Sequence, residues 1–501
     1  MLDAQNPNDR SFKVVIIGAG FGGLAAAIRL NQKGEHDFVV LERADDVGGV
    51  WRDNRYPGCA CDVQSHLYSY SFAPNASWSY QFSPQPEILD YLRRCAQNFQ
   101  ILERIQFNTT VRNLHWNEER GEWVIDTVHG EYRGRYVFAG MGALSDPKVP
   151  VLKGMSDFKG RIFHSAQWPR DVNLEGNAVC VVGTGASAIQ FIPQIQPIVS
   201  KLYLFQRTAA WVVKRGDFAI AQKARERFRR FPWLQRWTRL SIYVQRELLA
   251  FGFRHPIVMR VVQMQAVRHM HASIKDPALR QKLTPRYTMG CKRILVSDDY
   301  YPALSQPNVH VVPSELERIM EHGVVGSDGI ERNVDVIIFG TGFQVQDPPY
   351  SHYIYGRAGK SLADVWQGSP RTLTGTMVSG FPNLFLLHGP NTVLGHTSMI
   401  YMLETQVEQA LRLIGRAEQL GGAIVEASAE AQKRFVTWVD RKLRGTVWVS
   451  VGCSSWYMDK RGRNASIWPS YTFIYRSRAL SIRPGNYEFR QPPKVRRKGL
   501  L

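Results

Sequence analysis

Two repeats of a strand, a glycine-rich turn, a helix and a second strand, with a basic helical stretch after the second, predict an α/β fold. The predicted architecture is two Rossmann-like dinucleotide-binding domains with a helical insertion in the second. The first repeat opens with residues 13–17 (KVVII), a β-branched run of the kind buried in parallel sheets. The turn Gly18-Ala-Gly20-Phe-Gly-Gly23 follows, then a helix over 24–30 and a strand, Phe38–Leu41, that ends in Glu42. Gly18 permits the tight turn, Gly20 lets backbone approach a pyrophosphate, and Gly23 lets helix and strand pack closely. The N–H groups at the helix start are oriented for phosphates. Glu42 lies 19 residues beyond Gly23, where a carboxylate accepts from ribose hydroxyls.

The second repeat runs through Ala178–Val182, then Gly183-Thr-Gly185-Ala-Ser187-Ala188, a helix reaching Phe191, and the strand Lys201–Phe205. Gln206, Arg207 and Thr208 follow, and Arg207 stands where the first repeat has Glu42. An arginine there removes the carboxylate that would repel a 2′-phosphate and offers a planar fork to bind it. This site is therefore expected to prefer NADPH over NADH; the plainer reading is a surface arginine. One carboxylate-ended and one arginine-ended site point to FAD and NADPH held face to face. Residues 135–142 (RYVFAGMG) and 334–343 (VDVIIFGTGF) are strand-then-glycine stretches that suit crossings between two such domains. Each also reads as an ordinary βα turn.

With 501 residues, 44% of them hydrophobic, the chain can build two or three domains with substantial cores. No run of eighteen apolar residues is free of charge, and the first residues lack the basic end and apolar core of a secretory signal. A cytoplasmic protein is expected. The cysteines (59, 61, 95, 180, 291 and 453) show no C-x-x-C pair, so neither a metal site nor a dithiol redox centre is indicated. The net charge is +20, and residues 221–290 hold 15 Lys or Arg against 3 acids. That segment also carries Phe231, Trp233, Trp237, Tyr243 and Phe251 at helical spacings. It reads as helices with a solvated basic face; attraction of an anionic cofactor, or weak contact with a membrane surface, is the sharper alternative. The basic tail at 494–498 follows two prolines and is expected to be mobile. No nucleic-acid recognition module accompanies the charge.

Residues 158–169 (FKGRIFHSAQWP) fit the pattern F-x-G-x-x-x-H-x-x-x-W-P at every defined position. Gly48, Gly49 and Trp51, then Tyr56-Pro57-Gly58 and Asp62, supply a second pattern, G-G-x-W with Y-P-G and an aspartate. With these the chain resembles, over nearly its whole length, the single-chain, NADPH- and FAD-dependent Baeyer–Villiger monooxygenases of the flavin-containing monooxygenase superfamily. The resemblance implies an active-site arginine, Arg293, in the Lys292-Arg293 pair after the insertion, with Asp62 on the flavin side. It implies Arg207, Thr208 and Lys292 at the 2′-phosphate, and Trp51, Tyr68, Val111 and Met399 around the flavin. Trp456 would be a lid residue against the nicotinamide cofactor. His164 would sit in a linker coupling the domains, with Trp168 and Pro169 stiffening it, and not as a proton donor.

The implied reaction takes a hydride from NADPH to FAD, forms a C4a-peroxyflavin with O2, and converts a ketone to an ester or lactone. An arginine suits it, because a fixed cation favours the peroxide anion and the oxyanion of the adduct. A buried arginine calls for a carboxylate partner, and Asp62 fits that role. Linear, cyclic and aryl ketones all remain open. The region after Trp456 (459–464, DKRGRN) lacks the proline- and glycine-containing loop of the best-known cyclic-ketone enzymes, and Ala209 replaces a common proline after Thr208. The rival readings are a sulfide or amine oxygenase of the flavin-containing type and a non-oxygenating NADPH-dependent flavin reductase. A redox-sensing flavoprotein or a basic nucleic-acid binder is the non-enzymatic alternative. The expected domain plan is 1–145 and 346–501 for FAD, the latter with the lid, and 151–214 with 291–345 for NADPH. The insertion covers 215–290.

Overall fold

The computed structural model describes residues 10–450, 452, 453 and 455–493; the basic tail at 494–498 and residues 1–9 lie outside them. Strand segments with no polar member can hide both faces, and they become the centres of two sheets. The first sheet has eight strands, in the order Ile354–Tyr355, Val111–Asn117, Glu122–Thr127, Gly130–Ala139, Ser11–Ile17, Phe38–Leu41, Ile105–Gln106. Leu384–Leu386 joins it by pairing with Gly130–Ala139. Gly130–Ala139 is long enough to pair antiparallel with Glu122–Thr127 at its start and parallel with Ser11–Ile17 beyond. Val14, Val15, Ile16 and Val40 are fully excluded from solvent.

The second sheet is parallel throughout, in the order Val309–Val312, Lys201–Phe205, Ala178–Val182, Val336–Phe339, Arg161–His164. Its edge strand is the F-x-G-x-x-x-H segment. His164 is buried at the strand end, its Nδ1 accepts from the Ala166 N–H at 3.1 Å, and its ring meets Phe343. Trp168 packs on Phe163 and Phe191.

Both glycine turns lead into helices. The first spans Phe21–Gln32, three residues earlier than apolar periodicity starts, because Gly20 is its N-cap and Phe21 is already core. The second spans Ala188–Ile195, continuing through Pro193. A C-terminal helix, Met399–Gln419, capped by the Ser398 side chain at the Ile400 N–H, packs on Phe21–Gln32 and on Thr472–Leu480.

The insertion forms Gln222–Arg230, Pro232–Arg254, Pro256–Ser273 and Pro277–Leu283. Three begin with proline, which fits a first helical position that needs no N–H partner. The expected solvated basic face describes Gln222–Arg230, where no residue is buried. Pro232–Arg254 differs: Gln235 and Glu247 are buried, while Trp233, Trp237 and Leu248 face out. Inward polar groups on the rest of the molecule supply the hydrogen bonds that make this possible. Gln235 donates to the Asn75 carbonyl at 2.7 Å and Arg239 to the His66 carbonyl at 2.8 Å; Glu247 accepts from the Thr472 N–H at 2.9 Å. Among the described residues no helix is long and apolar enough to cross a membrane.

Candidate active site

The two glycine turns are built alike. Gly18 has φ +89° and Gly183 φ +111°, and a Cβ on either would meet the carbonyl oxygen of Gly140 at 2.6 Å or Gly340 at 2.5 Å. Residues 135–142 and 334–343 are thus the stretches that press on the turns, and only glycine fits beneath them. At Gly23 a Cβ would lie 1.7 Å from the Gly18 carbonyl oxygen, so the helix starts hard against its strand. Gly20 caps the first helix and Ser187 the second, directly before Ala188, while Gly185 leaves the second turn open. Open backbone at two helix N-termini fits the diphosphates of two dinucleotides.

Glu42 is buried at the end of Phe38–Leu41 and accepts from the N–H groups of Ala19 at 2.7 Å and Ala44 at 3.0 Å, and from Arg52 at 2.9 Å. A carboxylate has about four acceptor positions, so one remains for a ribose hydroxyl. In the second unit Arg207 projects into solvent beside Glu315 at 3.7 Å. Thr184 donates to the Thr208 carbonyl at 3.0 Å, tying the turn to the strand end. Lys292 lies over the Tyr287 ring, 5.0 Å from its centroid. Burial first, and then the positive charge of Arg207, lower the Lys292 pKa. Two cations thus share one space, and a phosphate group placed there would relieve their repulsion.

Asp62 and Arg293, 231 residues apart, form a two-pronged ion pair: Arg293 Nε and Nη2 each donate to a different Asp62 oxygen at 2.8 Å. Both side chains are only partly exposed. The charge of Asp62 holds the Arg293 pKa well above its ordinary value despite burial. Burial works to raise the Asp62 pKa, but the Arg293 charge and its hydrogen bonds prevail and hold it down. Asp62 belongs to the loop that begins at Tyr56. This loop is seated on the second unit: the Tyr56 hydroxyl donates to Gln190 Oε1 at 2.9 Å, and Gln190 donates to the Ala60 carbonyl at 3.0 Å. The same loop therefore carries the carboxylate and joins the helix Ala188–Ile195 to the first unit.

Around this pair, Trp51 donates to the Tyr68 hydroxyl at 3.0 Å, and their rings meet edge-on. Trp51, Tyr68 and Met399 all pack against one core cluster. Val111, at the start of its strand, packs against another, with Val15 and Ile17. Trp456 is exposed, its ring meets that of Tyr457 at a tilt of 54°, and its carbonyl accepts from Gln346. Tyr457 is buried, and burial pushes its hydroxyl up to about 12 despite the Arg293 charge.

Three features escape sequence reasoning. Arg246, from the insertion, donates to Gln64 at 2.7 Å and to the Asp62 carbonyl at 3.4 Å. Burial lowers its pKa, with Asp62 opposing. One arginine among fifteen basic residues carries no signal of its own. Arg52, which neutralises Glu42, is equally silent. The third is a disulfide, which joins Cys291 and Cys453 across 162 residues. Spacing cannot show a bond that only the return of the C-terminal segment creates.

Two glycine-turn units joined by a loop that bears an arginine-paired carboxylate define a two-nucleotide oxidoreductase. The family model described as flavin-binding monooxygenase-like matches residues 11–357. A Baeyer–Villiger monooxygenase of Pseudomonas aeruginosa is 46% identical, covering 97% of this chain and 92% of its own. One from Streptomyces coelicolor is 45% identical, covering 96% and 93%. A closed crystal structure of cyclohexanone monooxygenase matches with TM-score 0.85 at 28% identity, over 97% of this chain and 100% of that one. A steroid monooxygenase bound to NADP matches with TM-score 0.84 at 29% identity, over 96% and 100%. The chain belongs to the flavin-binding monooxygenase-like family and, within it, to the Baeyer–Villiger monooxygenases.

Proposed function

We propose that this protein is an FAD- and NADPH-dependent monooxygenase that inserts one oxygen atom of O2 into a ketone, giving an ester or lactone. The Arg293–Asp62 pair carries the reading. The first glycine turn and Glu42 would hold FAD, with Trp51, Tyr68, Val111 and Met399 along it; the second turn, Arg207, Thr208 and Lys292 would hold NADPH, with Trp456 as its lid. FAD, when bound and reduced, supplies the activation of oxygen. Arg293 keeps its charge at any working pH, so it favours negative charge on the attacking oxygen and on the carbonyl oxygen of the ketone. Asp62 engages Nε and Nη2, which fixes the guanidinium plane and leaves Nη1 to donate. A carboxylate partner also limits the cost of burying the cation. A permanent cation at this place works against the protonated, electrophilic oxygen that sulfide or amine oxidation needs. Residues 10–145 and 346–493 form the FAD domain in this reading, and 151–345 the NADPH domain with its insertion. A cytoplasmic setting, where NADPH is replenished, goes with it.

The test is to supply holoenzyme with NADPH, 18O2 and a panel of linear, cyclic and aryl ketones, with a thioether as comparator. An ester or lactone carrying one 18O atom is expected, and Arg293→Ala should form it about a hundredfold or more slowly. NADPH consumption that yields only hydrogen peroxide, or Arg293→Ala oxygenating ketones at the parent rate, would overturn the proposal.

A further inference from the structure

The helix Pro232–Arg254 turns polar side chains as well as apolar ones such as Ala250 and Phe253 toward the protein, and leaves a second apolar face to solvent. Its polar members Gln235, Arg239, Arg246 and Glu247 reach inward to named partners. Trp233, Trp237, Leu240, Val244, Leu248 and Phe251 recur at spacings of three and four, along one stripe on the opposite side, and all are exposed. Trp237 is 64% and Leu248 68% accessible, values that leave these side chains without a protein cover. The next helix, packed against it, adds Ile257, Val261 and Met264 at the same spacing, Ile257 at 77%. Isolated exposed apolar residues need no explanation, but a six-member stripe extended by a second helix does.

The charge around the stripe says what covers it. Arg227, Arg230, Arg236, Arg260 and Arg268 are exposed, and none of them is in an ion pair among the described residues. A second copy of the chain seated here would bring two segments of net positive charge together, with 15 basic residues against 3 acids on each side. We infer that this face docks on an anionic lipid surface, with the apolar stripe in the interfacial layer and the arginines among acidic headgroups. Tryptophan favours that layer, and the stripe with its cations is the pattern of a helix that lies on a bilayer instead of crossing it. The inward side of the same helix carries Arg246 to the Asp62 loop, so the docked face lies one helix away from the candidate active site.

Flotation of the holoprotein with vesicles tests this. Vesicles of phosphatidylcholine with phosphatidylglycerol should carry the protein, pure phosphatidylcholine should carry much less, and salt should release it. Trp233→Ser/Trp237→Ser/Leu248→Ser should cut partition by roughly tenfold or more, given the apolar area removed. Its flavin content and NADPH oxidation should be unchanged. The inference falls if the parent does not float with anionic vesicles, or if the triple variant floats equally well. It also falls if the parent is a dimer in sedimentation velocity that the triple variant abolishes, since a second copy would then be the cover.

Discussion

Arg293 shows how much a site depends on one residue being held by another. Its guanidinium is useful because it cannot lose its charge, and it is held in one plane because Asp62 takes two of its nitrogens. Lysine at 293 would keep a charge but lose the fork, so Arg293→Lys is no conservative change. Arg207 is the opposite kind of residue, exposed, with Glu315 at 3.7 Å as its one ion-pair partner among the described residues. Such an arginine contributes little to the fold and can be spared for a ligand. In Arg207→Ala, the KM for NADPH should rise roughly ten- to a hundredfold, as loss of a charge-assisted contact implies. The KM for NADH and the melting temperature should stay put. Steady-state kinetics with both nucleotides checks this; an equal rise for both would remove the 2′-phosphate from Arg207.

At the scale of elements, a disulfide holds the segment just before Trp456 to the one that begins at Cys291. Cys291 precedes the Lys292-Arg293 pair directly, and Cys453 lies three residues before Trp456. One covalent link therefore ties the segment that carries both cations to the segment that would close over the nicotinamide. The loop it closes is long, and removing such a link costs about 2–5 kcal/mol in many proteins. Cys453→Ser should lower the melting temperature by several degrees and weaken retention of NADP+, with FAD content intact; reduction of the parent by dithiothreitol should reproduce both effects. Calorimetry and NADP+ titration on the two samples provide the check. If NADP+ affinity is unmoved in both, the link is structural only. In compartments that keep thiols reduced, the same pair would exist partly as dithiol, and the lid would loosen accordingly.

At the scale of the whole molecule, the two crossings between the units run side by side. Lys148 N–H donates to the Gly342 carbonyl at 2.9 Å, Gln344 N–H to the Asp146 carbonyl at 2.9 Å, and Pro147 bridges to Phe343. The F-x-G-x-x-x-H strand ends beside them, with the His164 ring on Phe343. Linkers paired in this way would have to bend together in any rotation of one unit on the other. Such a rotation, between reduction of the flavin and attack on the ketone, would work through them. NADP+ should then change the rate of limited proteolysis around residues 145–151 and 345. Identical cleavage with and without NADP+, followed by mass spectrometry of the fragments, would argue for a rigid joint.

Much of this was legible in the chain itself. Residues 13–17, Phe38–Leu41, Ala178–Val182 and Lys201–Phe205 carry apolar runs of the kind that suits a strand in a covered parallel sheet, and each is a strand here. The glycines between strand and helix are legible too, because Gly18 and Gly183 sit at backbone angles other residues resist. Local chemistry thus determined two nucleotide turns and, through the motif match, the family. What only tertiary structure decided are pairings between distant segments. Asp62 with Arg293, Arg246 with the Asp62 loop and Cys291 with Cys453 depend on how the insertion and the C-terminal segment come back over the first sheet. The inward polar face of Pro232–Arg254 belongs with them. A helical pattern shows which residues share a side, but which side meets the protein is settled by the hydrogen-bond partners waiting there, and those lie more than a hundred residues away.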